Sequence, residues 1–181
     1  MAESVTTPGA ALATITAAAP MGMVCLRGDL SDPGVAEAVR AATGLAVPGT
    51  RGLSRDGARA VAWMSPDELL LLLPADAVAD ALRGASEAVT LVDVSDARAA
   101  FHICGPRADE VVMKLCPVDI ARLPDGEIRR TRAARIAVAL WRSAPSTLTL
   151  ICARSVAGHA RNLLENAARP GGEVFASRPR G

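Results

Sequence analysis

The sequence predicts an α+β protein made of two pseudo-symmetric ferredoxin-like βαββαβ units in tandem, and three observations lead there. Landmarks of the first half return about 78 residues later. Val24-Cys25 returns as Ile103-Cys104, Ala60-Val61-Ala62 as Ala137-Val138-Ala139, and a helix opening at Ala77-Val78 as one at Ser155-Val156. Within each half the apolar periodicity runs strand, helix, hairpin, helix, strand. The chain has 181 residues, 50% hydrophobic and 22% charged, which suffices for one substantial core. The expected plan is one compact domain formed by units 21–97 and 98–176, between a flexible N-terminus 1–20 and a frayed tail 177–181.

In the first unit, 21–27 reads as a strand. Asp32 followed by Pro33 is an N-cap with proline at the first helical position; Val35, Ala38, Val39 and Ala42 then share one face before Gly44 stops the helix. Residues 43–59 hold Pro48, Gly49, Gly52 and Gly57 without a sustained period, so a long surface loop is expected. Strands at 60–64 and 68–73 flank the turn Ser65-Pro66-Asp67. Leu69, Leu70, Leu71, Leu72 and Leu73 form an unbroken apolar run, which suits a central strand covered on both faces. A short helix through Ala77, Val78, Ala81 and Leu82 ends at Gly84, and a strand at 89–94 closes the unit.

The second unit opens with a strand at 99–104, and Gly105-Pro106 starts a helix with Asp109 and Glu110 in its first turn and Lys114 in its last, the order the helix dipole favours. Val111, Val112 and Leu115 are its buried stripe and Pro117 its end. Another loop is expected at 117–132, then a hairpin of strands 134–141 and 147–152. Ser155 is read as the cap of a helix burying Val156, Ala160, Leu163, Leu164 and Ala167, and a last strand is expected after Gly171-Gly172, through Phe175.

Several function classes are disfavoured. A net charge of +1 leaves no whole-chain electrostatic footprint for nucleic acid. The aromatics are Trp63, Trp141, Phe101 and Phe175, too few for base stacking. The sole lysine, Lys114, has no Walker loop around it, and no dinucleotide fingerprint follows a strand. With no basic leader and no apolar run of spanning length, a cytoplasmic protein without membrane contact is expected. Cys25, Cys104, Cys116 and Cys152 form no C-x-x-C pair and read as small buried hydrophobes. His102 and Cys104 share a strand face, a conceivable metal pair to which Cys25 could add; a buried cysteine beside a satisfied histidine is the plainer reading. His159 falls on the polar side of the last helix. No catalytic, cofactor or metal residue is therefore assigned to this chain.

Two clusters remain. Asp93, Ser95 and Arg98, with Asp96, lie where the units meet, a favoured place for a pocket, although Asp and Ser also serve crossover turns well. Arg129, Arg130, Arg132 and Arg135 concentrate positive charge and are candidates for contact with a partner, since guanidinium pairs bidentately with carboxylate. A chain that meets a partner is also expected to expose an apolar patch of more than a few hundred Å².

The segments Val92-Asp93-Val94-Ser95-Asp96-Ala97-Arg98, Ile103-Cys104-Gly105-Pro106-Arg107-Ala108 and Lys114-Leu115-Cys116-Pro117-Val118-Asp119-Ile120, in that order, resemble the gamma subunit family of heterotetrameric sarcosine oxidase. The resemblance runs from about Val24 to about Ala168. It implies the fold of the folate-binding aminomethyltransferase N-terminal module. It also implies a non-catalytic gamma subunit working with alpha, beta and delta subunits. In that complex sarcosine is oxidatively demethylated to glycine, electrons pass from FAD through FMN to oxygen to give hydrogen peroxide, and the one-carbon unit goes to tetrahydrofolate. FAD, FMN, NAD, tetrahydrofolate and zinc are implied for the partner subunits and none for this chain. Lys114-Leu115-Cys116 lacks the glycine and the Gln-Glu of the K-G-C-x-G-Q-E signature of iron–sulfur-related cousins, and no P-loop domain points to the tRNA-modifying ones. The alternative is an independent folate-binding or one-carbon transfer protein on the same fold; a small-molecule sensing module is a third reading, from fold analogy alone.

Overall fold

The structure, a computed structural model, describes residues 11–174. Its strands are β1 (Thr14–Ala17), β2 (Gly22–Arg27), β3 (Leu53–Asp56), β4 (Arg59–Ser65), β5 (Glu68–Leu73), β6 (Thr90–Asp93), β7 (Arg98–Cys104), β8 (Ile128–Ala133), β9 (Ile136–Ala144) and β10 (Thr147–Ala153). The helices are α1 (Pro33–Thr43), α2 (Val78–Leu82), α3 (Ala108–Met113) and α4 (Ala157–Ala167). The strands build two five-stranded antiparallel sheets, ordered β6-β2-β5-β4-β3 and β1-β7-β10-β9-β8. The architecture is α+β, and each strand of one sheet has a counterpart at the same place in the other.

Strand alternation divides the side chains into layers. Leu69, Leu71 and Leu73 of β5 pack with Val35 and Val39 of α1 and Val78 and Ala81 of α2, while Leu70 and Leu72 face the other sheet. This explains why β5 is apolar at every position after Glu68: it is central and covered on both sides. In the second sheet Phe101, Ile103, Leu140, Leu148 and Leu150 meet Val111 and Val112 of α3 and Ala160 and Leu164 of α4. Between the sheets, Met23, Ala62, Met64 and Leu70 pack against Ala100, Ile128, Ala139, Trp141 and Ile151. The order of layers is helix, sheet, sheet, helix.

One side of this sandwich is sewn shut. Leu53 N–H donates to Gly126 O and Ile128 N–H to Arg51 O, both at 2.8 Å, so β3 and β8 meet across the two sheets. At the opposite edges of the two sheets stand β6 and β1.

Local chemistry placed α1 as expected. The Asp32 carboxylate accepts from Gly34 N–H at 2.6 Å, and Gly44, at φ 75°, donates its N–H to Arg40 O at 2.7 Å. Elsewhere the sequence expectations need correction. The loop at 43–59 contains β3 and the loop at 117–132 contains β8; both are edge strands whose arginines and polar residues hide the alternation. Ser155 caps nothing: it lies within a 3-10 turn, Arg154–Val156, that leads into α4. The segment expected to be flexible before residue 21 includes β1, which pairs with β7 (Ile15 opposite Ile103), and buries Leu12 and Ala13. Residues 1–10 lie outside the described residues, as do Phe175 and the tail. Gly172, Glu173 and Val174 are not in a strand. In the second sheet β1, from the other end of the chain, takes the edge that β6 takes in the first. Gly105 allows this: at φ 146°, a Cβ there would sit 3.0 Å from Ala13 Cα.

Candidate functional site

The crossover from β6 to β7 brings the junction residues together. Asp93 Oδ1 accepts from Ser95 N–H (2.9 Å) and from Ser95 Oγ (2.6 Å), and Ser95 Oγ accepts in turn from Met23 N–H (2.9 Å). The Ser95 hydroxyl and amide hold the Asp93 carboxyl below its usual range. Arg154, at the start of the turn before α4, donates to Asp96 O (3.2 Å) and ties the crossover to the end of β10. These residues line a cleft of about 710 Å³ whose other walls are the segment 17–23, Phe101 and Arg161.

Arg98 points between the sheets. Its guanidinium lies 3.6 Å from Glu68 Oε1, while Arg27 donates to Glu68 Oε2 at 2.7 Å. The Glu68 side chain is 7% exposed, so this pair joins β7 of one sheet to β5 of the other through a nearly dry contact. Cys25 sits beside it, and burial, then the Glu68 charge, raises its thiol above the ordinary value. Burial pushes the Cys116 thiol up to about 11. His102 Nδ1 is 3.1 Å from Thr149 Oγ1, and Thr149 Oγ1 donates to Ser143 Oγ. Among the described residues no group of three His, Cys, Asp or Glu side chains is gathered as a metal would require. His159 is exposed on α4.

The four arginines do not form one patch. Along β8, Arg129 faces opposite to Arg130 and Arg132, and Arg135 stands in the turn to β9. Arg129 is ion-paired with Glu127, and Arg130 donates to Met64 O at 2.8 Å. Arg130 and Arg132 line a second cleft, about 520 Å³, together with Arg98, Met64, Pro66 and Ile151. Among the described residues the exposed large hydrophobics are Val92 and Val174.

Two buried charge clusters were not anticipated. Arg142, 5% exposed, donates from Nη2 to both oxygens of Asp109 (2.9 and 3.0 Å) and to Ile120 O (2.9 Å). Glu110, with no exposed side-chain surface, takes Arg107 at 2.5 Å, Lys114 at 3.8 Å and the Val174 N–H at 2.6 Å. Burial alone would raise the Glu110 carboxyl; the Val174 and Arg107 hydrogen bonds and the two cations outweigh it and hold it below the usual range. The i, i+3 and i, i+4 spacing of Arg107, Glu110 and Lys114 is a sequence signal for that cluster, whereas nothing local marks Arg142 as Asp109's partner.

Fold and polar groups together define an α+β protein in which Asp93, Glu68, Asp109 and Glu110 are engaged in a turn and in ion pairs that hold the layers. A likeness in fold is seen to the glycine cleavage system aminomethyltransferase T of Bartonella henselae (14% identity, TM-score 0.65, 85% of this chain and 45% of that one). The chain belongs to the sarcosine oxidase gamma subunit family, which matches residues 27–169. The sarcosine oxidase subunit gamma of Corynebacterium sp. (strain U-96) is 34% identical over 129 residues, 67% of this chain and 63% of that relative, so the match spans less than two thirds of its length. That of Arthrobacter sp is 32% identical over 79% of this chain and 72% of the relative. A solved chain of heterotetrameric sarcosine oxidase from Corynebacterium sp. U-96, in complex with pyrrole 2-carboxylate, superposes with a TM-score of 0.80 at 25% identity, over 91% of this chain and 88% of that one.

Proposed function

We propose that this chain is the non-catalytic gamma subunit of a heterotetrameric sarcosine oxidase. The observation that carries the reading is the superposition of 91% of the chain on a chain of such an oxidase. In this reading alpha, beta and delta subunits are its partners and the assembly works in the cytoplasm. The assembly demethylates sarcosine oxidatively to glycine with release of hydrogen peroxide and passes the one-carbon unit to tetrahydrofolate. FAD, FMN, NAD, tetrahydrofolate and zinc belong to the partners, and this chain supplies shape and contact. The matched strand orders of the two sheets support a duplicated ferredoxin-like plan, with units 21–97 and 98–176 extended by the added strands β3 and β8. The junction residues Asp93, Ser95 and Arg98 hold those units together, and of the four partner-contact candidates Arg129, Arg130, Arg132 and Arg135, the two that share a face of β8, Arg130 and Arg132, are taken as the contact.

Co-expression with the large subunits of a sarcosine oxidase tests this: a yellow complex containing the chain and producing peroxide from sarcosine is expected, and failure to associate refutes it. The independent folate-binding reading is not favoured by the family match or the superposition. It predicts saturable binding of a reduced folate by the chain alone, which titration would reveal.

A further inference from the structure

We propose that the arginine-ended cleft between β8 and the β4–β5 hairpin seats an extended acidic segment of a partner subunit, an inference that rests on the subunit reading above. Sheet register builds the cleft. Arg132 of β8 is opposite Ala137 of β9, and Ala153 of β10 is opposite Arg98 of β7. Cys152 is opposite Val138, which sets Ala153 beside Ala137. One row across four strands therefore reads Arg132, Ala137, Ala153, Arg98. At a strand spacing of about 4.8 Å, its end Cα atoms are roughly 14 Å apart. Ala137 and Ala153 are both exposed, so the floor of the row is open and flat. The facing wall is the hairpin at Met64, Ser65 and Pro66, held in place by the Arg130 guanidinium on Met64 O at 2.8 Å.

The charge inside this cleft is unbalanced. No Asp or Glu lines it. The Arg132 side chain makes no hydrogen bond or ion pair among the described residues, and the Arg130 side chain spends its contact on a carbonyl. Glu68, the carboxylate nearest Arg98, is shared with Arg27. Guanidinium groups at the two ends of the row are too far apart for one carboxylate or phosphate to take both bidentately. Four steps of extended chain, at ~3.4 Å each, span the row, so the side chains of residues i and i+4, which share a face, deliver acidic groups to both ends over a floor of alanines. Neither exposed large hydrophobic, Val92 or Val174, lines this cleft, so charge complementarity is the means of assembly proposed for it.

The test is association with the large subunits of a sarcosine oxidase, with dissociation constants measured at low and high salt for the wild type, Arg132→Glu and Arg135→Glu. Both variants change the charge equally at exposed positions, but Arg135 does not line the cleft. Arg132→Glu is expected to weaken association about tenfold or more and to flatten its salt dependence. Arg135→Glu should change it by less than about twofold, and both should melt like the wild type. If the wild type associates and Arg132→Glu associates equally well, or both variants lose affinity alike, the cleft assignment is overturned and the subunit reading stands. If the wild type fails to associate with any such subunits, both fall together.

Discussion

Removal of the Asp109 carboxylate is the sharpest test of how the second sheet holds its helices. Arg142 projects from β9 into a dry position and, through Nη2, ties together Asp109 in the first turn of α3 and Ile120 O in the following 3-10 turn; its Nη1 donates to Pro145 O at 3.2 Å. Asp109→Ala leaves a guanidinium that is 5% exposed with two carbonyl partners and no counter-charge. Breaking a buried pair from one side costs about 3–5 kcal/mol, and the surviving carbonyl bonds place this case near the lower bound, about 3 kcal/mol. For a chain of this length that lowers Tm by roughly 6–12 °C. Arg142→Met should cost less, about 2 kcal/mol, for two reasons. Arg142 Nε already lacks a hydrogen-bond partner, and Asp109 is 13% exposed and within reach of water once Arg142 is gone. The double variant should also cost about 2 kcal/mol, well below the sum of the singles, because neither charge is then stranded. Urea denaturation measures all three, through shifts in the midpoint at constant slope. A cost for Asp109→Ala below about 1 kcal/mol, or strict additivity in the double variant, would refute the reasoning.

Glu110 gives a pH dependence whose sign follows from its depressed carboxyl. Its contribution is complete above the unfolded glutamate value of about 4.3 and is lost as pH falls through the lower folded value, so Glu110→Gln should be less stable at neutral pH and show a shallower acid limb in melts from neutral to acid. Gly22→Ala would set a Cβ 2.3 Å from Val78 Cγ2 and 3.1 Å from Pro74 O. A loss of about 1–3 kcal/mol is expected, against a change within about 0.5 kcal/mol for Gly49→Ala, where nothing lies within 4 Å; paired melts decide it. Truncation before Met21 removes β1 and the buried Leu12 and Ala13. It should cost at least about 3 kcal/mol and open the β7 edge to self-association, read by melting and light scattering; an unaffected melt would mean that the strand contributes little.

What the sequence disclosed was local and periodic. Asp32-Pro33 and Gly44 bracket α1 because caps act within a turn, and the leucine run of β5 announces a strand covered twice because burial on both faces forbids polar residues. Hidden features depend on what lies across the sheet. In β8, Ile128 faces the other sheet and Ala133 the helices, while Arg129, Arg130 and Arg132 between them mask the alternation. Composition showed the arginine cluster but not its division between two faces, which only strand geometry sets. The closing of the second sheet was beyond local reading altogether: the expected strand follows α4 in sequence, yet the edge belongs to Thr14–Ala17, from the opposite end of the chain.

That exchange of edges bears on function as well as on topology. With β1 in one sheet and β2, four residues further on, in the other, the halves cannot separate without breaking the β1 ladder. The Arg98–Glu68 pair and the backbone bonds from Leu53 to Gly126 and from Ile128 to Arg51 fasten the same seam at other points. A seam fastened in this way is poorly suited to opening around a substrate and well suited to presenting a fixed surface. The carboxylates nearest the seam fit this division: Asp93 is turned onto Ser95, and Glu68 is shared by two arginines. The Arg132 side chain, by contrast, is left without a partner among the described residues. A rigid frame that leaves the Arg132 guanidinium unanswered is what an acidic neighbour would recognise, because the sheet fixes where each arginine side chain starts, while the side chain itself becomes ordered only on docking.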